Sequence, residues 1–258
     1  MENVVTKISS STPLIPILIG KGKLALHLHH YFHLIDFNHK HFDDARDLTN
    51  PELFRKIKGV NSIWILTTDR SIPEVFQKIK NEMSKYDLNP DHYTFIHSSA
   101  ASEIEGMQTL HPLMTFTDQL YQLEQYLEIP FAWIGNKIEA FDQIKLPNKI
   151  FQIPAKDRSI YHAYAVMMSN LPILLWSLTT HEAKSKLNLE NELYDPILKQ
   201  TLQNFLSKRG SALTGPISRK DSETINKNLS ALIESPLGKI YQTFLTATHE
   251  GDLNDHSA

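Results

Sequence analysis

Short, continuously apolar runs alternate with helical stretches over the first three-fifths of the chain. The clearest apolar runs cover residues 14–19, 61–66, 93–96, 130–135 and 149–153. A run of this length, bounded by polar residues, is typical of a strand buried on both faces of a parallel sheet. The alternation of such strands with helices predicts one doubly wound α/β domain up to about residue 153.

The pattern changes after residue 153. No strand pattern returns, and apolar positions at helical spacing predict helices over 158–181, 191–208, 222–234 and 237–249. We therefore expect two domains, a doubly wound domain over residues 1–153 and an all-helical domain over residues 154–258. The tail from Glu250 onward is polar, and no regular structure is expected there.

The predicted helix over residues 157–176 is apolar on nearly every side, which predicts burial on several sides. His162, Ser169 and Asn170 interrupt this apolar surface, and their spacing of seven and eight residues places them on one stripe of the helix. Buried polar side chains need hydrogen-bond partners. Two interpretations stay open: structural residues bonded to neighbouring backbone, or residues that bind a ligand.

The first apolar run leads directly into the glycine-rich turn Gly20-Lys21-Gly22-Lys23-Leu24-Ala25, and a helix is predicted over residues 24–31. Two glycines in a G-x-G-x-x-A pattern permit a tight turn and the close approach of a pyrophosphate, and the alanine permits close packing of helix on strand. The strand before and the helix after are the context that such a motif requires. Residues 20–24 are therefore predicted to bind a dinucleotide.

A second strand is predicted over residues 33–37, and it would end where a dinucleotide-binding fold recognises the adenosine ribose. Asn38, His39 and Lys40 follow it, and these neutral or basic residues favour the 2'-phosphate of NADP(H). A solvated basic turn is the alternative. If the strand ended two residues earlier, Asp36 would favour NAD instead.

Small polar residues follow two further predicted strands. In parallel sheets ligands bind at the carboxyl ends of the strands, so these residues are candidates for cofactor or substrate binding. The stretch over residues 110–116 is interpreted as a connection. The candidates are Thr67, Thr68, His97, Ser98 and Ser99.

Six histidines lie close together in the first part of the sequence, at positions 27, 29, 30, 33, 39 and 41. They are spread over a predicted helix, a turn and a strand, so no three of them are expected to converge. The sequence also lacks the H-E-x-x-H pattern of zinc proteases. No metal site is predicted.

Composition excludes several classes of function. With 26 basic and 29 acidic residues the formal net charge is −3, which gives no general affinity for nucleic acid or anionic membranes. The absence of cysteine excludes disulfides and thiolate chemistry and fits a reducing compartment. Residues 1–5 lack a signal-peptide pattern and no apolar run is long enough to span a membrane, so we expect a cytoplasmic protein.

Six motifs together resemble one known family, the Rossmann-like proteins with a domain-of-unknown-function 2520 tail. The resemblance covers nearly the whole chain. It departs from the family pattern at Lys21 and Lys23, and at Ser99, where the family usually has glycine. The motifs are Gly20-x-Gly22-x-x-Ala25, Thr67-Thr68-Asp69, His97-Ser98-Ser99-Ala100, Leu110-His111-Pro112-Leu113-x-Thr115-Phe116, Tyr161-His162-Ala163-x-Ala165-Val166-Met167-x-Ser169-Asn170 and Leu213-Thr214-Gly215-Pro216-Ile217-x-Arg219-x-Asp221.

The resemblance implies an N-terminal Rossmann-like doubly wound domain that binds NADP(H), followed by an all-helical substrate domain, as in ketopantoate reductases and 6-phosphogluconate dehydrogenases. Some family members are implied to reduce 2-dehydropantoate with NADPH in pantothenate synthesis. In the usual enzyme of that reaction a catalytic lysine precedes a substrate-binding asparagine by eight residues. His162 and Asn170 have this spacing and are the implied catalytic pair, with histidine in place of lysine.

The remaining candidates for substrate binding are Ser98, Ser99, His111, Ser169 and Arg219. The pair His111-Pro112 is similar to prephenate-type enzymes, so a prephenate-type enzyme is an alternative. An NADP-dependent reductase of another small keto acid or of an imine, of the pyrroline-carboxylate type, is a further alternative. A nucleotide-sensing protein without turnover is a third alternative. The apolar stretch over residues 173–178 leads us to expect a symmetric homodimer formed through the helical domain.

Overall fold

The computed structural model describes residues 13–135 and 143–250, with the backbone alone at residues 249 and 250. The N-terminal segment without a signal-peptide pattern and the polar tail after Glu250 lie outside the described residues. The chain divides into two compact units, Met1–Met168 and Ser169–Ala258. The division falls inside a 30-residue helix, whereas residue 153, the predicted boundary, is the end of the last strand.

The first unit contains one seven-stranded sheet, whose neighbouring strands follow the order β2-β1-β3-β4-β5-β6-β7. Strands β1 to β5 pair in parallel, β6 is antiparallel to β5, and β7 is parallel to β6. The strands are β1 (Pro16–Ile19), β2 (Lys40–Phe42), β3 (Ser62–Ile65), β4 (Thr94–His97), β5 (Gln108–Pro112), β6 (Phe131–Ile134) and β7 (Ile150–Ile153).

Apolar side chains on both faces of the sheet explain why its strands read as continuous apolar runs. Leu18 and Trp64 pack on one face with helices α1 (Lys23–Leu34) and α4 (Leu123–Leu127). Ile17, Ile19, Ile63 and Ile65 pack on the other face with helices α2 (Pro51–Ile57) and α3 (Ile72–Met83). The predicted doubly wound α/β domain is confirmed.

The predicted second strand over residues 33–37 is wrong. Helix α1 continues to Leu34, and the chain then reverses through Asp36 in the left-handed region, with φ of 50°. The backbone N–H of Phe37 donates to the carbonyl of Phe32 at 2.8 Å, so this segment packs beside α1 as a loop. The true β2 is an edge strand with only Phe42 buried, and it therefore carries no apolar run.

The interpretation of residues 110–116 as a connection is also wrong in part, because residues 108–112 form β5. Pro112 cannot donate a hydrogen bond to a neighbouring strand, and proline is confined to edge strands, strand ends or bulges. It is the last residue of β5, where the missing N–H costs least.

Helices alone follow the sheet within the described residues, which confirms the predicted helical C-terminal region. Few of their side chains are buried: in the described part of the second unit only Ser235 and Leu245 are. No helix in the described ranges is both long and apolar enough to cross a membrane. The helices are α5 (Arg158–Leu187), α6 (Asp195–Lys208), α7 (Gly215–Ser218), α8 (Ser222–Ala231) and α9 (Pro236–Glu250).

The burial expected for the helix over residues 157–176 is wrong for the single chain. Met168 is 75% exposed, Ile173 is 55% exposed and Leu174 is 54% exposed. Of the residues of α5 only Arg158, at the helix start, is buried. The apolar surface that the sequence predicted to be covered is therefore open to solvent in one chain.

Candidate functional site

The turn after β1 requires a glycine at its first position. Gly20 has φ of +142°, and a Cβ atom there would lie closer than 3.0 Å to the carbonyl oxygen of Leu66 at the end of β3. Gly22 is the N-cap of α1 and has open space around it, while Ala25 is fully buried against the sheet. The free N–H groups of the first turn of α1 face the carboxyl edge of the sheet, an arrangement suited to phosphate oxygens.

The lysines of this turn are available to an anion. Lys21 and Lys23 are exposed, and Lys23 makes only a surface ion pair of 3.6 Å with Asp118. Leu24 is half-buried and packs against the core under α1. The structure thus places residues 20–24 together at one end of β1, as the motif predicts.

The chain leaves β1 toward β2 on one side and returns through β3 on the other, so the turn lies at a switch point of the sheet. Thr67, Thr68 and Asp69 follow β3 at this edge. The hydroxyl of Thr67 is buried and has no hydrogen-bond partner within the described residues, whereas that of Thr68 lies 3.0 Å from the hydroxyl of Ser71.

Asn38, His39 and Lys40 do not lie at this edge, because they precede or begin β2 instead of following it. Lys40 pairs with Ile17 in the middle of β1, and its ammonium donates to the backbone carbonyl of Lys56 at 2.8 Å. The premise that these residues follow the second strand is therefore wrong. Asp43, Asp44 and Arg46 follow β2, and a 3.9 Å ion pair joins Arg46 to Asp44.

A buried hydrogen-bond chain connects Arg158 and Thr109 to His97 at the end of β4. The guanidinium of Arg158 donates to the hydroxyl of Thr109 at 3.2 Å, and this hydroxyl lies 3.1 Å from Nε2 of His97. Because the guanidinium can only donate, the Thr109 hydroxyl is free to donate its hydrogen to Nε2. In the tautomer in which Thr109 donates, Nδ1 of His97 carries the ring hydrogen, and Nδ1 is buried without a partner in the described chain.

Burial next to the Arg158 cation lowers the pKa of His97 to about 4, so the ring is neutral at neutral pH. The two serines that follow it differ. The Ser98 hydroxyl is buried without a partner among the described residues. The Ser99 hydroxyl donates to Ser102 Oγ at 3.0 Å and accepts from the Ser102 N–H at 3.2 Å, so it is committed to its own loop.

His111 and Tyr161 form a second polar pair, joining β5 to the first turn of α5. His111 Nδ1 lies 2.9 Å from the Tyr161 hydroxyl. Burial and, to a smaller extent, the neighbouring His162 lower the pKa of His111 to about 4, although Asp69 opposes the shift. Burial raises the pKa of Tyr161 to about 12. Both groups are therefore uncharged at neutral pH, and the phenol keeps its proton.

His162 is half-buried on α5 and makes no hydrogen bond within the described residues. Its charge influences the pKa of His111, as does that of Asp69. The structure therefore brings His111, His162 and the end of β3 into one neighbourhood of the first unit. The catalytic role of His162 stays a prediction.

The other predicted substrate residues lie in the second unit. The Ser169 hydroxyl donates to Asn170 Oδ1 at 2.7 Å, and Asn170 is exposed. Arg219 is exposed at the end of α7. Asp221 caps α8, accepting from the N–H of Thr224 at 3.1 Å.

Sequence reasoning missed Thr109, Arg158 and Tyr161. Tyr161 stood next to His162 in the family motif, and Arg158 was a charged residue at the start of an apolar helix; both were usable signals. No sequence signal pointed to Thr109, because this residue lies just before the stretch over residues 110–116 that was interpreted as a connection.

The histidines at the end of α1 also differ from expectation. Ring nitrogens of His29, His33 and His39 all lie within 4.8 Å of one another. The prediction that no three histidines converge is therefore wrong, because the reversal after α1 brings His39 back beside the helix.

Residues 142–248 match the family model described as "Domain of unknown function (DUF2520)", which confirms the resemblance in the C-terminal region. No match to a curated protein is found.

Solved structures share the fold over nearly the whole chain. A candidate NADP oxidoreductase from Bacteroides fragilis is 19% identical, covers 93% of this chain and 99% of its own, and has a TM-score of 0.71. Protein TM1727 from Thermotoga maritima is 19% identical, with 92% and 97% covered and a TM-score of 0.67. The NADP-bound pyrroline carboxylate reductase from Plasmodium falciparum is 14% identical, with 92% and 97% covered and a TM-score of 0.52. At these identities the likeness establishes the fold, a Rossmann-like domain followed by helices.

Proposed function

We propose that this chain, whose residues 142–248 match the DUF2520 family model, is an NADPH-dependent reductase of a small keto acid or imine, with 2-dehydropantoate as the leading substrate. The observation that carries the proposal is the set of buried polar atoms without partners in the described residues, Thr67 Oγ1, His97 Nδ1 and Ser98 Oγ. They lie at the ends of β3 and β4, in the sheet whose β1 turn is shaped for a pyrophosphate. Solved structures of this fold include enzymes with NADP bound, which supports the choice of cofactor.

The glycine turn and the N-terminus of α1 would hold the pyrophosphate of NADPH, which supplies the hydride when bound. Past β2, the Arg46 guanidinium is the group suited to a 2'-phosphate, while Asp43 and Asp44 would favour a 2'-hydroxyl. We assign the phosphate to Arg46, whose side chain is 83% exposed and free to turn away from Asp44. Titration of protein fluorescence with NADPH and NADH tests this assignment. Tighter binding of NADH would overturn the NADP preference and leave the reductase proposal standing.

Reduction of a carbonyl or imine carbon builds negative charge or basicity on its oxygen or nitrogen, and a nearby group must supply a proton. We assign this proton to His162, which is half-buried and has no competing hydrogen bond in the described chain. The Tyr161 hydroxyl, paired with His111, is a neutral donor on the preceding residue of α5. The buried N–H of His97 and the hydroxyl of Ser98 are neutral donors for a substrate carboxylate or carbonyl.

Turnover decides between the candidate functions. The purified protein should oxidise NADPH when 2-dehydropantoate is present. The reaction is followed as the loss of NADPH absorbance. Activity on 1-pyrroline-5-carboxylate or a cyclic imine instead would move the proposal to the imine-reductase alternative. NADPH binding without turnover of any of these compounds would favour the nucleotide-sensing alternative and refute the reductase.

Replacing His162 tests its role directly. His162→Ala should lower kcat and kcat/KM by roughly 10²- to 10⁴-fold, the usual contribution of a general acid. NADPH affinity should be unchanged, because the residue belongs to the substrate side of the proposed site. His181→Ala, an exposed histidine of the same helix, is the matched control. A folded His162→Ala protein with near-normal kcat would exclude the proton-donor role.

The proposal includes a symmetric homodimer. The second unit has only two buried residues in its described part, and its helices carry many exposed apolar side chains, among them Ile197, Leu202, Phe205 and Ile233. A helical unit without its own core needs another apolar surface to bury its side chains, and a second copy of the same unit provides one.

A further inference from the structure

The chain reverses direction sharply where α1 ends, and this reversal gathers three histidines. His29 and His33 are four residues apart on α1, so both project from one face of the helix. After the left-handed turn at Asp36, residue 39 returns alongside that face. The rings of His29 and His33 have centroids 4.5 Å apart, and that of His39 lies 5.1 Å from His29 and 4.8 Å from His33.

The hydrogen bonds of His39 leave one nitrogen turned toward the other two rings. His39 Nδ1 lies 2.8 Å from the carbonyl oxygen of Phe37, and since a carbonyl can only accept, Nδ1 carries the ring hydrogen. Nε2 therefore presents its lone pair, and it lies 2.9 Å from Nδ1 of His29. A histidine whose other N–H is held by a backbone carbonyl is the usual arrangement at a protein metal site.

We infer that His29, His33 and His39 bind one divalent transition-metal ion of the zinc class. Three neutral imidazoles suit Zn²⁺, Co²⁺, Ni²⁺ or Cu²⁺ and not Ca²⁺ or Mg²⁺, which prefer oxygen ligands. Zn–N bonds of about 2.0–2.1 Å place tetrahedral ligand nitrogens roughly 3.3 Å apart. The observed nitrogens, all within 4.8 Å, reach this spacing with small rotations of exposed or half-buried rings.

The site is open to solvent and needs no structural opening to take up an ion. His29 and His33 line a surface cavity of about 420 Å³ together with Lys23, Leu26 and Asp118. A water molecule from this side completes four-coordination. His27 is a different case: its nitrogens lie 3.0 Å from the Thr117 carbonyl and 2.8 Å from the Tyr126 hydroxyl, so both are already bonded.

The site also adjoins the proposed nucleotide turn. The His41 ring lies 4.4 Å from that of His29, and His41 Nε2 donates to the carbonyl of Gly20 at 2.8 Å. The ion would tie the end of α1 to the segment leading into β2, the strand whose end approaches the adenosine ribose in this fold. Metal binding and turnover are nevertheless separate properties, and each can be measured without the other.

Untagged protein stripped with a chelator and titrated with Co²⁺ tests the inference. The wild type should bind one Co²⁺ per chain with the visible absorption of a nitrogen-ligated ion, and Zn²⁺ should displace it. His33→Ala and His39→Ala should weaken Zn²⁺ affinity by roughly 100-fold or more, since loss of a ligand exceeds the 10- to 100-fold typical of a neighbouring group. His92→Ala, an exposed histidine outside the cluster, is the matched control and should bind as the wild type does.

Thermal melting of each metal-free protein shows whether the variant still folds, and melting with Zn²⁺ added then reports metal binding. Zn²⁺ should raise the melting temperature of the wild type and of His92→Ala, and leave that of His33→Ala and His39→Ala unchanged. Wild-type protein that binds no Co²⁺ or Zn²⁺ at micromolar concentration would overturn the inference. Equal binding by all four proteins would overturn it as well, because the ion would then lie elsewhere.

Discussion

Ser98 and Ser99 are adjacent residues in opposite situations. The hydroxyl of Ser98 is buried with no partner in the described chain, whereas that of Ser99 makes two hydrogen bonds with Ser102. A buried polar group without a partner costs about 1–3 kcal/mol of folding free energy. A hydroxyl held at that cost is explained if a bound ligand supplies the missing partner.

The two serines therefore give a matched pair of substitutions. Ser98→Ala should leave the free energy of unfolding unchanged or raise it by up to about 1 kcal/mol, because it removes an unsatisfied group, while kcat/KM should fall. Ser99→Ala should lower the free energy of unfolding, because it breaks the Ser102 bonds. Urea unfolding and steady-state kinetics on both variants check this. A destabilised Ser98→Ala protein would show that its hydroxyl has a structural partner.

Histidines whose pKa is lowered in the folded protein make its stability depend on pH, and His97 and His111 are two of them. Burial lowers the pKa of His97 and of His111 to about 4, against about 6.5 in an unfolded chain. Between these values the unfolded state binds more protons than the folded state, so stability falls as pH decreases from about 6.5 toward 4. Melting temperatures from pH 7.5 to pH 5 should show this decline.

His111→Gln tests the origin of that decline. Its melting temperature should fall less between pH 6.5 and pH 5 than that of the wild type, because one depressed titration is gone. His92→Gln, at an exposed position, should keep the wild-type slope. An unchanged slope in His111→Gln would place the pH dependence on other groups.

At the scale of elements, Asn148 joins three segments of the first unit that are distant in sequence. Its Oδ1 accepts from the Tyr31 hydroxyl of α1, and its Nδ2 donates to the carbonyls of Tyr126 at 2.7 Å and Ile129 at 2.9 Å. The side chain is 6% exposed, so water does not replace these bonds. Asn148 thus fixes α1 and α4 to the chain that enters β7.

Asn148→Asp should lower the free energy of unfolding by about 2–4 kcal/mol. The carboxylate cannot donate, so two backbone carbonyls lose their partner and a charge faces them instead. Urea unfolding measures the change, with Lys149→Ala at the exposed neighbouring position as the control. A loss below about 0.5 kcal/mol, the range of ordinary surface substitutions, would contradict the proposed role of Asn148.

Strands that lie within or beside an apolar run were predictable from the sequence, whereas the edge strand β2 was not. β1, β3, β4, β6 and β7 each lie within or beside an apolar run. The edge strand β2 buries one side chain, Phe42, and leaves no such run. Because the second strand was predicted too early in the sequence, Asn38, His39 and Lys40 were predicted to bind the ribose. These residues do not lie at the carboxyl edge of the sheet.

The candidate site was predictable only where its residues belong to a local motif. Gly20 and Gly22 were found because a turn and a helix start follow one another in sequence. The chain from Arg158 through Thr109 to His97 joins residues 49 and 12 positions apart, and no spacing rule connects them. The three converging histidines were missed for the same reason, since the reversal at Asp36 carries no apolar signal.

At the scale of the whole molecule, the proposed homodimer would bury the exposed apolar side chains of the helices. Light scattering at micromolar concentration should give twice the chain mass of 29.6 kDa. Met168→Asp should shift the mass toward one chain, because a charge replaces a side chain that is 75% exposed in the single chain and buried in the proposed dimer. Lys78→Asp, at an exposed position on α3, is the control. A wild-type protein with the mass of one chain would refute the dimer.

Gly20 has a consequence for how this gene can vary. A glycine codon reaches only alanine, valine, serine, cysteine, aspartate, glutamate, arginine or tryptophan by a single base change, and every one of these adds a Cβ. At Gly20 that atom would meet the carbonyl of Leu66, and the left-handed backbone would be strained as well. At Gly22 an added Cβ atom would lie in open space, and the backbone has an ordinary φ of −69°. In a library of random single-base mutants, folded clones should therefore contain changes at Gly22 and lack them at Gly20.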